Sequence, residues 1–195
     1  MLNVSRGLHM TKPVTRSYPA HAWAAAITLA LLVSAVPAQA QSQDNLAAVA
    51  PLLGKWTGTA EGQPGRGTVE REYERALGNR FIRVRNRSTY PPQDKNPKGE
   101  THEDEGFFSF DRARKLIVLR QFHTEGFVNS YAQDAGGKPG TVSFTTEGIE
   151  NIPSGWRARE TYTFLGPDAF EEVFELSEPG KPFETYSRAR FKRVK

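Results

Sequence analysis

Cysteine is absent from all 195 residues, and histidine occurs only four times. Without thiols the chain can form no disulfide, no thiolate nucleophile and no cysteine-based metal site. It must therefore fold on its hydrophobic core alone, for which a single domain of this length is sufficient. The sequence also lacks a G-x-S-x-G motif, and local sequence ties neither histidine beyond residue 40 to a serine and an acid. We therefore expect a binding protein rather than an enzyme.

The first forty residues have the organisation of a targeting segment. They contain no acidic residue and only three cations, Arg6, Lys12 and Arg16. An apolar run follows at 22–36, and the small residues A-Q-A occupy 38–40. This order is typical of a cleaved secretory signal, and the run is short for a membrane span, which needs about 20 apolar residues. We predict a signal peptide at 1–40, a mature domain at 41–195, and a periplasmic or secreted bacterial protein that is not inserted in the membrane.

The charge balance argues against a nucleic-acid partner. The whole chain has 26 Lys and Arg against 22 Asp and Glu, a net charge of +4. Without Arg6, Lys12 and Arg16, 23 cations remain against the same 22 anions. A nearly neutral mature domain lacks the basic surface that tracks phosphates. The sequence does not specify an oligomeric state.

The mature segment shows a period of two after Gly54, interrupted by turn residues about every ten positions. A short helix is expected at 45–53, capped by Asp44. Strands are predicted at 54–61, 67–77, 80–90, 104–110, 114–123, 127–134, 140–149, 156–164, 168–177 and 183–193. The long connector at 91–103 is expected to be a mobile loop at one rim. Consecutive hairpins with almost no helix predict an all-β fold, a single antiparallel up-and-down β-barrel, because closure removes the exposed edges. A barrel of about ten strands usually encloses a cavity.

The stretch LAAVAPLLGKWTGTAEG at 46–62 resembles the start of a calycin barrel, the superfamily of lipocalins and fatty-acid-binding proteins. In that superfamily a short helix closes one end, and the tryptophan of a G-x-W motif packs under an arginine of the last strand. The resemblance gives these structural roles to Gly54 and Trp56, and to one of Arg188, Arg190 or Arg193.

The pattern G-x-W-x-G at 54–58 is also similar to nitrobindin-type haem-binding barrels and to uncharacterised secreted bacterial barrels of this superfamily. Nitrobindin-like proteins hold haem through a histidine in the C-terminal part of the barrel. This chain has no histidine after His123, so that ligand has no matching position. The resemblance thus implies the fold, and it leaves haem as a possible cofactor rather than an expected one.

Alternation in two regions predicts charged groups inside the barrel. In TVEREYERAL, Glu70, Glu72 and Glu74 form one face, which must be the outer one, so Arg71 and Arg75 point inward. After Gly155, Glu160 and Glu172 lie on otherwise apolar faces, and a three-residue turn at 165–167 would set them directly opposite each other. Such a pair needs a proton or a cation between its members. We expect a polar cavity that binds a small amphipathic or anionic ligand and is lined by Arg71, Tyr73, Arg75, Glu160, Tyr162 and Glu172.

The hairpin LRQFHTEGFVNSY at 119–131 carries several polar groups. A three-residue loop with Gly126 in the left-handed conformation pairs Gln121 with Asn129 and Leu119 with Tyr131. The two faces are about equally apolar, so alternation alone does not decide which one is internal. In either case His123 lies beside the turn at a rim. We expect His123 and Tyr131 to contact a ligand at the cavity entrance.

The stretch HEDE at 102–105 suggests metal binding but lacks the required geometry. In a strand, His102 and Asp104 point to one side while Glu103 and Glu105 point to the other. Two ligands make a poor zinc site, so no metal is predicted and the stretch is interpreted as the solvated start of a strand.

Three functions remain open at this point. The leading one is non-covalent binding of a small molecule inside the barrel. The alternatives are a haem- or metal-binding nitrobindin-like protein acting on reactive nitrogen species, and an envelope interaction protein whose barrel holds no ligand.

Overall fold

The computed structural model describes residues 44–195, so the predicted signal peptide at 1–40 lies outside the described residues. Ten strands form one antiparallel sheet in which each strand pairs with its neighbours in the chain and β1 closes the barrel against β10. The strands are β1 (Gly54–Gly62), β2 (Gly65–Ala76), β3 (Phe81–Tyr90), β4 (Glu100–Asp111), β5 (Leu116–His123), β6 (Val128–Gln133), β7 (Thr141–Glu150), β8 (Arg157–Gly166), β9 (Ala169–Ser177) and β10 (Glu184–Arg193). No helix of the described residues is long and apolar enough to cross a membrane.

The all-β closed meander is confirmed, with strand ends within a few residues of prediction except at β4. That strand begins at Glu100, so the connector before it spans only 91–99. The side chain of Gln93 ties this connector to the β2 backbone by accepting from the amide of Arg66 (2.8 Å) and donating to its carbonyl (3.0 Å).

The N-terminal helix is shorter than predicted. Only Ala50–Leu52 form a 3₁₀ turn, and Asp44 accepts a hydrogen bond from the Leu46 amide at 3.0 Å. Pro51 lies in the turn, and its ring and missing N–H oppose a continuous α-helix. Leu46, Val49 and Leu52 recur every third residue, the 3₁₀ period, and all three are buried in the barrel core.

Packed aromatic rings fill the end of the barrel next to this turn. Phe170 lies at the centre, with its ring 4.8 Å from Trp56 and 4.4 Å from Phe191. Phe108 and Phe144 extend the cluster across the lumen and are fully buried. Burial of each phenylalanine contributes about 1.5–3 kcal/mol to folding. One half of the barrel is therefore a solid core.

Arg193 is the arginine that covers Trp56, which resolves the choice among the three arginines of β10. Its guanidinium lies 4.1 Å from the centre of the indole ring. It also donates to the carbonyls of Leu53, Pro51 (3.1 Å) and Pro167 (2.8 Å), which joins the N-terminal turn to the β8–β9 hairpin. Arg193 thereby supplies hydrogen-bond donors to backbone carbonyls that lie outside the strand pairing of the sheet.

The glycines of the G-x-W-x-G pattern allow this close packing. Gly54 has φ +116°, and a Cβ atom there would lie 2.7 Å from Nη1 of Arg193. At Gly58 a Cβ atom would lie 2.2 Å from the carbonyl oxygen of Arg190 on β10. A side chain at Gly58 would separate β1 from β10, whereas one at Gly54 would strain the backbone and displace the guanidinium of Arg193.

We expect Arg193→Ala to lower the free energy of unfolding by about 2–3 kcal/mol, because it removes a cation–π contact and leaves several carbonyls without donors. Urea denaturation measures this change. Arg190→Ala on the same strand is the control and should cost less than about 1 kcal/mol, since Arg190 forms only an exposed ion pair with Glu171. Equal losses in the two variants would contradict the closing role of Arg193.

Candidate functional site

A cavity of about 670 Å³ occupies the half of the barrel that the aromatic core leaves open. One part of its wall is apolar, formed by Phe127, Ile149, Ile152, Trp156, Phe174 and Leu176. The opposite part and the floor carry hydrogen-bonding groups. A cavity of this size and character is typical of small-molecule sites.

A second depression, of about 720 Å³, is more open and lies largely on the outer surface of β1 to β4. Its outward-facing charges are paired with one another, for example Arg85 with Glu72 at 2.7 Å. The pairing of β2 with β3 sets Glu70, Glu72 and Glu74 opposite Arg87, Arg85 and Arg83. Because its charges satisfy one another, this surface is a weaker candidate than the interior cavity.

The cavity floor is a layer of seven polar side chains, here called the polar layer. On most of these strands the inward residue two positions away is apolar or aromatic and belongs to the solid core, as Tyr73 does for Arg71 and Leu119 does for Gln121. The polar layer therefore marks the boundary between the filled half and the open half. It comprises Arg71, Asn86, Asp104, Gln121, Asn129, Glu160 and Glu172.

Arg71 holds the polar layer together. Its side chain is only 9% exposed, and Nη1 lies 2.7 Å from the carboxylate of Glu172. Nε donates to Asn86 at 3.0 Å, and Asn86 in turn donates to Asp104 at 2.8 Å. Burial lowers the pKa of Arg71, but the charge of Glu172, together with Tyr73, Tyr162 and Asp104, outweighs this and holds the pKa well above its ordinary value. Arg71 is thus a buried cation whose charge is paired with Glu172.

Glu160 is a second buried carboxyl group without a cation of its own. Burial, and next the charge of Glu172, raise the pKa of Glu160 to about 8. The hydroxyl of Tyr162 donates to Glu160. Burial also raises the pKa of Glu172, but Glu172 contacts Arg71 directly. We therefore assign the proton to Glu160 at neutral pH.

The predicted direct opposition of Glu160 and Glu172 is wrong. Glu160 pairs with Phe174, and Glu172 pairs with Tyr162. The turn lies at 167–168, between Gly166 and Ala169, rather than at 165–167, and together with a one-residue bulge after Phe164 it shifts the register by two residues from the predicted one. The two carboxyl groups are therefore diagonal neighbours, and Arg71 contacts only Glu172.

The β5–β6 hairpin has the predicted register, with Gln121 opposite Asn129 and Leu119 opposite Tyr131. Gly126 has φ +90° in the turn. The structure decides which face is internal: Gln121 and Asn129 are buried, whereas Phe122 is 54% exposed on the outer face. The amide oxygens of Gln121 and Asn129 are buried without a hydrogen-bond partner. Their side chains therefore retain acceptor capacity beside the cavity.

His102, Asp104 and His123 form a cluster in the cavity wall. Nε2 of His102 lies 3.3 Å from Nδ1 of His123 and 3.5 Å from Oδ2 of Asp104. Nδ1 of His102 contacts the carboxylate of Glu125 at 2.6 Å, and Nε2 of His123 contacts Nδ2 of Asn129 at 3.2 Å. The interpretation of 102–105 as a solvated strand start is therefore wrong for the inward pair, and the side chain of Asp104 is only 6% exposed.

The two histidines differ in protonation. Burial lowers the pKa of His102, but hydrogen bonds to Asp104 and then Glu125 outweigh it and raise the pKa to about 9. Burial lowers the pKa of His123 to about 4. Burial raises the pKa of Asp104, while the hydrogen bond from His102 and the charge of Arg71 hold it below the usual range. The pair thus carries one positive charge, on His102.

The predicted site residues fall into three groups. Arg71, His123, Glu160 and Glu172 line the cavity. Three tyrosines lie beneath the floor, where each hydrogen-bonds a member of the polar layer: Tyr73 with Arg71, Tyr131 with Asn129, and Tyr162 with Glu160. Arg75 lies outside the cavity, because it is four residues beyond Arg71 on β2, and it pairs with Asp44 near the N-terminal turn.

Sequence reasoning missed other lining residues, including His102, Asp104 and Tyr186. Tyr186 lines the cavity beside Ser187 because a bulge interrupts the pairing of β10 with β9 between Thr185 and Ser187. Strict alternation from Ser187 and Ala189, which face inward, would place Tyr186 outside. For His102 and Asp104 the shared face was correctly predicted, but not that this face is internal and meets His123.

The fold and the cavity together define a calycin-like barrel with an interior site for a small molecule. Residues 45–193 match the family described as "THAP4-like, heme-binding beta-barrel domain", and the chain belongs to that family. Among solved structures, "Crystal Structure of Rv2717c from M. tuberculosis" is similar to the chain with a TM-score of 0.58 and 17% identity, covering 77% of this chain and 98% of that one. At this identity the similarity shows the fold alone.

A redesigned β-barrel is a more distant match, with a TM-score of 0.40 and 10% identity over 76% of this chain and 96% of that one. A de novo designed fluorescence-activating β-barrel has a TM-score of 0.36 and 17% identity over 73% and 93%. No curated protein sequence matches the chain.

The residues of this cavity do not fit haem held by a histidine. The described residues contain no methionine or cysteine, and His102 and His123 are their only imidazoles. Each of the four ring nitrogens already contacts a neighbouring polar group, so none is left unengaged to serve as the axial ligand of haem. The C-terminal strands carry no histidine that could replace them.

The buried carboxyl of Glu160 predicts a pH-dependent stability. Its folded pKa of about 8 lies above the ordinary value of 4.5, so the folded state binds this proton more tightly. The stabilisation is complete below pH 4.5 and is lost as pH rises through 8, on the order of a few kcal/mol in total. Glu160→Gln still accepts a hydrogen bond from Tyr162 but cannot ionise, so its stability should fall less between pH 5 and pH 9.

Urea unfolding at pH 5 to 9 measures this difference. Glu171→Gln is the control, because Glu171 lies on the outer face of β9 next to exposed arginines and should keep the wild-type pH dependence. If Glu160→Gln and wild type lost stability in parallel, Glu160 would not be the buried proton carrier.

Proposed function

We propose that this barrel binds a small amphipathic molecule, non-covalently, in its interior. The observation that carries the proposal is the division of one 670 Å³ cavity into an apolar wall and a polar floor. A ligand with an apolar body would replace water along Trp156, Phe174 and Leu176, while its polar end would reach the polar layer. Burial of the apolar part supplies affinity, and the few polar contacts fix orientation.

The polar end of the ligand is proposed to be neutral and to donate hydrogen bonds. Arg71 is already neutralised by Glu172, so it offers no free charge to an anion. Asp104 and Glu125 add negative charge on the same side of the cavity. Gln121 lines the cavity, and rotation of its side chain would turn its unpartnered amide oxygen toward a ligand hydroxyl or N–H group. These charges disfavour the anionic alternative.

We further propose that the protein acts in the periplasm or outside the cell. This rests on the signal-like composition of residues 1–40. The open cavity favours ligand binding over a ligand-free role in the envelope, because a barrel used only as a scaffold gains more stability from a filled interior.

Nile red, a neutral amphipathic dye, provides the test. We expect the full chain to bind it saturably with increased fluorescence. Ser187 lines the cavity on β10, whereas the adjacent Arg188 points outward and is exposed. Ser187→Trp should fill part of the cavity and weaken dye binding at least about tenfold, a difference of about 1.4 kcal/mol. Arg188→Trp is the matched control and should bind like wild type.

Unchanged dye binding in Ser187→Trp, with both variants folded by circular dichroism, would refute an interior site. Haem serves as a second probe in the same experiment. The geometry predicts no histidine-ligated Soret band on haem titration. A band that disappears in His123→Ala would contradict the engagement of all four imidazole nitrogens.

A further inference from the structure

We propose that His102, Asp104 and His123 bind one divalent transition-metal ion in the cavity wall. The three residues come from the paired strands β4 and β5, in which Asp104 lies directly opposite His123. One ligand atom from each side chain lies within 4.8 Å of the other two. This site is independent of the amphipathic ligand proposed above, since the ion needs only these three side chains and solvent.

The spacing of the ligand atoms matches a tetrahedral ion. A Zn–N bond of about 2.0–2.1 Å implies that neighbouring ligands in a tetrahedron are about 3.3–3.4 Å apart. Nε2 of His102 lies 3.3 Å from Nδ1 of His123 and 3.5 Å from Oδ2 of Asp104. These two separations agree with tetrahedral edges without movement of either strand.

Neighbouring groups orient the ligands as in metal sites. Glu125 holds the far nitrogen of His102 at 2.6 Å, the carboxylate–histidine arrangement that keeps a proton on Nδ1, so that an ion would displace the proton of Nε2. Asn86 donates to Asp104 at 2.8 Å, and Gln121 lies at 3.5 Å from its other oxygen. His102 and Asp104 therefore each have a hydrogen-bond partner that orients them. His123 is the one proposed ligand that still needs such a partner.

Asn129 supplies the partner for His123. Its Nδ2 lies 3.2 Å from Nε2 of His123 and 2.9 Å from the hydroxyl of Tyr131, while its own Oδ1 is buried and has no hydrogen-bond partner. The two ends of an amide are assigned from such networks. If the Asn129 amide is rotated by 180°, its Oδ1 can accept hydrogen bonds from Nε2–H of His123 and from the hydroxyl of Tyr131. The proton of His123 then sits on Nε2, and Nδ1 is free for the ion.

The donor set selects the kind of ion. Two imidazoles and one carboxylate suit Zn²⁺, Fe²⁺ or Co²⁺, whereas Mg²⁺ and Ca²⁺ prefer oxygen ligands. Three protein ligands leave at least one position for solvent or a small molecule. Because all three residues line the cavity, that position lies where the cavity contents can reach it.

The test is Zn²⁺ binding to the full chain without an affinity tag, measured against a chromophoric chelator, with Co²⁺ visible absorption as a second readout. His9 and His21 are the other histidines of the sequence, so all measurements use a His9→Ala/His21→Ala background. We expect one ion per chain and an intense tetrahedral Co²⁺ spectrum.

His123→Ala should abolish the Co²⁺ spectrum and weaken Zn²⁺ binding by more than about a hundredfold, because it removes a ligand itself. Glu125→Gln touches no ion and should weaken binding about 10–100-fold. Glu103→Gln is the matched control, since Glu103 lies between His102 and Asp104 but points outward, and it should bind like the background protein. Glu125→Gln also keeps the test valid if His123→Ala does not fold.

Failure of the background protein to bind one Zn²⁺, or equal binding by Glu125→Gln and Glu103→Gln, would overturn the proposal. The cluster would then be an ion pair of His102 with Asp104 and Glu125. These outcomes do not depend on whether Nile red binds.

Discussion

One buried ion pair, Arg71 with Glu172, constrains the whole interior. A guanidinium inside a barrel needs a counter-charge and hydrogen-bond acceptors, because burying an unpaired charge costs several kcal/mol. Glu172 on β9 supplies the charge, and Asn86 on β3 accepts from Nε. The network continues through Asp104 to His102, so strands from both sides of the lumen depend on one cation. With Arg71 paired to Glu172, and His102 paired to Asp104 and Glu125, both cations of the cavity lining are already neutralised by carboxylates.

The polar layer explains why half of the barrel is solid and half is open. Below it, rings such as Phe170 and Phe191 stack at 4.4 Å, and Arg193 seals the end over Trp56. Above it, the wall is apolar but unfilled. The filled half of the barrel stabilises the fold. The open half is lined by the amides of Gln121 and Asn129 and by the cluster of His102, Asp104 and His123. The barrel architecture agrees with membership of a haem-binding family. His102 and His123, however, contact each other, so neither is left to ligate a haem iron.

Much of the fold could be predicted because alternation and turn residues act locally. The outward row Glu70, Glu72 and Glu74 fixed the direction of Arg71, and Gly126 fixed the register of β5 with β6. Bulges could not be predicted, since they depend on how the closed sheet curves. The turn at 167–168 together with the bulge after Phe164 separated Glu160 from Glu172, and the bulge after Thr185 turned Tyr186 toward the cavity. The meeting of His102 with His123 depends on β4 beginning at Glu100 rather than at 104, so that His102 belongs to the strand whose Asp104 pairs with His123.

A double-mutant cycle on Arg71 and Glu172 tests the central constraint most directly. Urea unfolding would give the stability of Arg71→Met, Glu172→Leu and the double variant. If each partner neutralises the other, either single variant loses about 3–5 kcal/mol, while the double variant loses less than either, because apolar replacement removes both buried charges together. Additive losses, with the double variant the least stable of the three, would show that the two charges are satisfied independently and would contradict the account.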